Sequence, residues 1–312
     1  KPFGLKLACA ARIWRWAARM GLPVGDQPLA PPLAPELPSG APRVALWCRE
    51  VGPWIGIAGF CIASITVERT GSQVVNTSGG RLPPLTLASS LGIYRSAISK
   101  QTAVVFLQST ATREIRLALD QFLPSPALSV MIACAVAGVP GSSLQYNWCI
   151  QDTYRYFNVA APDQPGVVGF LRQTMAPGIV WSFIRAGGCT GGALYLAPQV
   201  SEQVDRRLQE GGCEVPRRLT NFLSGFAMGA MTSCCTQWAH NLTMVAGRMA
   251  VFGTMAQAPH YTTVAVRAAW QEMGPSLFWV NFPQRMAINA VTNAVLNVCD
   301  IFRRPDISGW SS

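Results

Sequence analysis

The sequence predicts an all-α membrane protein: six transmembrane helices in three pseudo-symmetric pairs. Three observations carry that expectation. Charge is scarce, with Asp, Glu, Lys and Arg at 13% of the 312 residues and hydrophobic residues at 50%, against roughly 25% charged in soluble domains. Three runs, Val51–Val67, Gln121–Gln151 and Leu219–Gly247, contain no Asp, Glu, Lys or Arg, and about 20 residues of helix cross a bilayer core. A landmark also recurs, a glycine followed by aromatics and then a base: Gly92, Tyr94 and Lys100; Gly178, Trp181 and Arg185; Gly274, Trp279 and Arg285.

Taken in order, residues 1–27 read as a basic amphipathic segment. Lys1, Lys6, Arg12, Arg15 and Arg19 fall there with Trp14 and Trp16 and no acid before Asp26, a pattern shared by a targeting sequence and by a helix lying on an anionic membrane surface. Residues 28–50 form a linker whose prolines, from Pro28 to Pro42, preclude helix and favour an extended tether of about 45 Å. Such an arm is expected to hold the protein in an assembly or on a membrane.

The membrane domain is expected over residues 51–304, with repeats at about 51–120, 121–210 and 216–304 and a tail at 305–312. Each long charge-free run is followed by a shorter apolar one: Gln101–Thr112, Ala186–Ser201 and Met286–Cys299. These reach spanning length only if Lys100, Arg185 and Arg285 enter the span. Small residues such as Gly225 and Gly229, four apart, let helix backbones approach closely in lipid.

Several function classes are excluded. The ten cysteines lie mostly in apolar stretches without Cys-x-x-Cys spacing, and His240 and His260 have no ligand set beside them, so no metal site is expected. The net charge of +10 is too scattered for a nucleic-acid surface. No Gly-rich phosphate loop and no Gly-x-Ser-x-Gly turn occurs, so neither an enzyme nor a cofactor is expected.

The third unit carries a family resemblance. Tyr261–Met286 runs through Glu272, Gly274, Phe278, Trp279, Pro283 and Arg285, and the following run ends in Cys299, Asp300 and Arg303. This resembles the mitochondrial carrier family. The resemblance implies three helix-pair repeats joined by amphipathic helices on the matrix side, in the mitochondrial inner membrane. It also implies both termini toward the intermembrane space, an orientation on which the arginine counts of the loops are evenly divided.

The departures from that family shape the functional expectation. Its odd-numbered helices end in Pro-x-acid-x-x-basic, whose charges pair between repeats to close a gate, and none of the 23 prolines here is followed two residues later by Asp or Glu. The equivalent stretches read Glu68–Gln73, Asn147–Asp152 and Asn241–Ala246, and the short segment Asn76–Leu91 leaves little room for a first amphipathic helix. The expectation is a transport-inactive accessory subunit of a large inner-membrane complex, either a respiratory complex or supercomplex or ATP synthase. Its partners would be neighbouring subunits and anionic phospholipids such as cardiolipin.

The alternative is a working carrier exchanging a small anionic metabolite. Lys100, Arg185 and Arg285 would contact that substrate, since intramembrane charge is a functional candidate by default, unless they snorkel to the interface. Asp300 and Arg303 would be a remnant gate ion pair. Asp152, beside Tyr154 and Arg155, is expected to mark the end of the third span.

Overall fold

A computed structural model describes residues 43–160, 166, 169, 178–191, 195–213, 215–252 and 261–298. The basic segment 1–27, residues 28–42 of the expected linker, Asp300, Arg303 and the tail lie outside the described residues, while residues 43–50, expected in that linker, are helical. Residues 1–46 with 304–312 divide from residues 47–303, and all packing below belongs to the latter unit.

The protein is all-helical, with no strand among the described residues. In chain order the helices are α1 (Arg43–Asn76), α2 (Leu87–Leu119), α3 (Pro126–Tyr156), α4 (Ile179–Gly191), α5 (Ala197–Glu210), α6 (Arg217–Val251), α7 (Tyr261–Met273) and α8 (Phe282–Val298). A 3-10 turn, Gly274–Phe278, links α7 to the approach of α8.

Local chemistry sets the boundaries. Thr86 caps α2 through a reciprocal box, its hydroxyl accepting from the Ser89 amide while the Ser89 hydroxyl accepts from the Thr86 amide. Ser125 caps α3, and Pro126 follows in the first turn, where a missing N–H costs nothing. Gly178 precedes α4 at φ +69°, and a Cβ there would lie 3.2 Å from the Thr243 Cα, so both backbone sign and close approach require glycine. Gly274 also has positive φ before its turn, whereas Gly92 lies inside α2. The recurring glycine therefore has one structural role in two units and another in the first.

Neighbouring helices run antiparallel around a ring. Gln101 and Gln108 of α2 bond the carbonyls of Gln145 and Gly138 on α3. Tyr146 of α3 meets Arg185 of α4, and Met131 sits by Gly191. Cys189 of α4 reaches Thr232 and Thr236 of α6, while Asn221 and Ser233 of α6 meet Asn297 and Asn289 of α8. The side chains of Asn76 on α1 and Asn281, just before α8, bond at 2.7 Å and join the last unit to the first.

The second helical position differs from the sequence expectation. Its apolar run Gln101–Thr112 is only the middle of a helix as long as its neighbours, because the polar residues on either side of that run are paired within the bundle or face outward. The fourth position is described as α4 and α5, on either side of residues 192–194, which lie outside the described residues. No helix intervenes between α1 and α2, as the short segment implies, whereas α7 fills the equivalent place in the third unit.

Burial is inverted relative to a water-soluble bundle. On α6, Thr220, Asn221, Ser224, Thr232, Ser233, Thr236, Gln237, His240, Asn241 and Thr243 are buried, while Leu219, Phe222, Leu223 and Phe226 are exposed. On α4, Ile179, Val180 and Phe183 face outward and Ser182 is buried. Among the described residues, α3 is the one helix that is both long and apolar enough to cross a membrane by composition.

The α6–α8 contact is the tightest. A Cβ on Gly225 would lie 2.8 Å from the Ala294 Cα, and one on Gly229 2.7 Å from the Ala290 Cα. Gly229→Leu is expected to force these helices apart and lower stability by about 1–3 kcal/mol. Gly56→Leu, where nothing lies within 4 Å of the new Cβ, should stay within about 0.5 kcal/mol of the parent. Thermal unfolding in mild detergent compares the two.

Candidate functional site

Six helices, α1, α2, α3, α4, α6 and α8, line one cavity of about 140 Å³. Every one of these helices puts polar side chains in its wall, beside the apolar Ile62, Ala186, Ile288 and Leu296: Thr66, Thr70 and Gln73 from α1, Gln108 and Thr112 from α2, Gln145 and Tyr146 from α3. Arg185 and Cys189 come from α4, His240 from α6, and Arg285, Asn289 and Asn293 from α8. None of the lining residues is acidic.

Three of the long helices converge beneath it. His240 of α6, 1% exposed, places Nε2 2.8 Å from Gln73 Oε1 of α1 and Nδ1 3.4 Å from the Tyr146 hydroxyl of α3. With the Gln73 carbonyl oxygen as acceptor, Nε2 carries the proton and Nδ1 accepts from tyrosine, which fixes the neutral tautomer by its partners. The Tyr146 oxygen in turn accepts from Arg185 Nη1, and the Arg185 guanidinium lies 4.5 Å over the tyrosine ring. Each partner in this chain of four thus meets a complementary one.

Past His240 the same three helices close over an apolar plug. Val74 and Val75 of α1, Ile150 and Tyr154 of α3, and Met244 and Val251 of α6 pack with Leu82 of the α1–α2 connection. Arg248, buried, crosses from α6 to donate to the Thr77 carbonyl and also pairs with Glu272 of α7. Among the described residues no ion pair joins α1, α3 and α6 directly to one another.

The three cations named from sequence do not share one environment. Arg285, 3% exposed, is held by α6 and α4: Nη1 donates to the Ser233 carbonyl (3.2 Å) and Gln237 Oε1 (3.1 Å), and Nη2 to Cys189 Sγ (3.0 Å) and Thr236 Oγ1. Arg185 and Arg285 both line the cavity, so snorkelling to an interface does not describe either. Lys100 is not part of that lining. Its Nζ lies 3.3 Å from Asp152 Oδ1, joining α2 to α3. Asp300 and Arg303 lie outside the described residues.

Asp152 lies close to the end of α3, which ends at Tyr156, and its buried carboxylate also serves as an interhelical partner. Residues that sequence reasoning passed over include Gln73, Tyr146, Cys189 and His240. The one signal available for them was a lone histidine within a charge-free run.

No family model matches the chain, and no curated protein matches it.

The Lys100–Asp152 pair is asymmetric, with the lysine side chain 42% exposed and the aspartate 6%. Removing the lysine strands a buried charge, whereas removing both charges does not. Lys100→Met is expected to cost about 1–3 kcal/mol, and Asp152→Asn added to it should restore at least half of the loss, measured by thermal unfolding of both variants.

Proposed function

We propose that this chain is a six-helix, carrier-like membrane bundle of the mitochondrial inner membrane, serving as a non-catalytic accessory subunit of a large complex rather than as a transporter. The observation that carries the reading is the junction of α1, α3 and α6. Where transport would call for charges that part and re-pair, Gln73, His240 and Tyr146 are joined by neutral hydrogen bonds above an apolar plug. The inverted burial supports a lipid surround, because polar groups in hydrocarbon must find partners within the protein. Respiratory complexes, their supercomplexes and ATP synthase are the assemblies that such a subunit suits. Anionic phospholipids such as cardiolipin suit the basic arm.

One observation favours the other reading, exchange of a small anionic metabolite. Arg185 and Arg285 line a cavity that has no acidic residue in its wall, and Arg185 Nε has no partner there. The two readings separate on purification from mild detergent. An accessory subunit is expected to migrate within a large assembly and to show no saturable uptake in liposomes. Migration alone, with exchange abolished by Arg285→Ala, would sink the structural reading. A deletion of residues 1–43 behind a substituted targeting signal should weaken co-migration while leaving the bundle inserted.

A further inference from the structure

Cys189 differs from the other described cysteines in what surrounds its sulfur. Arg285 Nη2 donates to it at 3.0 Å, Asn289 Nδ2 approaches to 3.6 Å, and Thr236 Oγ1 lies at 2.9 Å. Thr236 donates its own proton to the Thr232 carbonyl, so its oxygen is left to accept the thiol proton. The sulfur lone pairs are then met by a guanidinium and an amide. Cys134, which feels the Arg116 charge, and Cys149, whose thiol donates to the Val67 carbonyl, are fully buried, and Cys213, Cys234 and Cys235 are exposed.

A second observation is independent of the cysteine. Asn293 is 5% exposed and lines the same cavity, yet its Nδ2 has no partner, and Thr292 Oγ1 and Arg185 Nε in that wall are unpartnered too. Two guanidiniums and spare donors surround a space with no acidic group. Buried donors left without acceptors are costly. The site is built for negatively charged oxygen next to Cys189.

We propose that Cys189 is a peroxide-modified thiol whose oxidised sulfur supplies that charge. The sulfur attacks one oxygen of hydrogen peroxide; the S–O bond forms as the O–O bond breaks, and the departing hydroxide takes the thiol proton to leave water. Sulfur is oxidised to sulfenic acid and peroxide is reduced. A second peroxide repeats the step to give sulfinic acid, which releases its proton to solvent and leaves a sulfinate. Its two oxygens accept from Arg285 and Asn289, which already touch the sulfur, and bring acceptors to a wall that has unpartnered donors. Oxidation thereby ties α4 more firmly to α8. The step is independent of whether the bundle transports a solute.

The test treats the full chain in mild detergent with graded hydrogen peroxide and follows each cysteine by mass spectrometry. Cys189 is expected to reach sulfinate about tenfold faster than exposed Cys213, a rate order set by environment rather than by exposure. Arg285→Gln should slow Cys189 about tenfold and leave Cys213 unchanged, with Arg285→Lys recovering part of the rate. Asn289→Ala, which keeps the guanidinium, provides a milder variant should Arg285→Gln fail to fold, and it should slow the second oxidation. Cys189 reacting no faster than Cys213 in the parent protein would overturn the proposal, as would an unchanged Cys189 rate in folded Arg285→Gln.

Discussion

His240 is the point through which three long helices are held to one another. Its ring nitrogens face α1 on one side and α3 on the other while its backbone belongs to α6. Buried polar groups of this kind are costly to leave unpaired, and here each ring nitrogen has its partner. The pairing therefore sets the register of α1 against α6 and of α3 against α6 together. The T-shaped contact of the Tyr146 and His240 rings, 5.4 Å between centroids, adds shape to the same constraint.

From that junction the placement of the charges follows. Tyr146 accepts from Arg185, so α4 is drawn to the centre, and Arg285 enters between α4 and α6 by donating to four neutral acceptors. A guanidinium suits this role because its planar fork serves several acceptors at fixed angles, where an ammonium would serve fewer. The glycines of α6 bring α8 close enough for Arg285 to reach, so the small-residue motif and the buried charge belong to one arrangement. Lys100 and Asp152 make the equivalent link between α2 and α3, nearer the surface, with an ion pair in place of a neutral network.

Much of the helical framework was legible in the sequence because charge is absent over long stretches of the helices. Val51–Val67 and Leu219–Gly247 fall within α1 and α6, and Gln121–Gln151 falls in α3 from Pro126 onward. Periodicity said less, because a helix that is polar toward a cavity and apolar toward its surround has the reverse of the usual pattern, and α2 could not be told from its short apolar middle. The functional interior was harder still. Arg185 and Arg285 stood out as charges, but Gln73, Tyr146 and His240 carry no formal charge and matter only through one another. That relation joins positions 73, 146 and 240 and exists only once the ring closes. Asp152 was visible as a charge near the end of the third span, but its pairing was not, because that depends on Lys100, on a different helix.

Whether such a bundle moves depends on what its closing contacts do when they separate. Charged pairs at helix ends can exchange partners, so a second arrangement exists at comparable free energy and binding can select it. The contacts here are of another kind. Separating α1 from α6 would leave Gln73 and His240 facing an apolar plug made of Val74, Val75, Met244 and Val251. It would also release Arg248 from the Thr77 carbonyl. Each loss leaves a buried polar group without an acceptor, at about 1–3 kcal/mol apiece, while the apolar contacts that part with it gain nothing in exchange. A junction built this way has one deep minimum rather than two shallow ones.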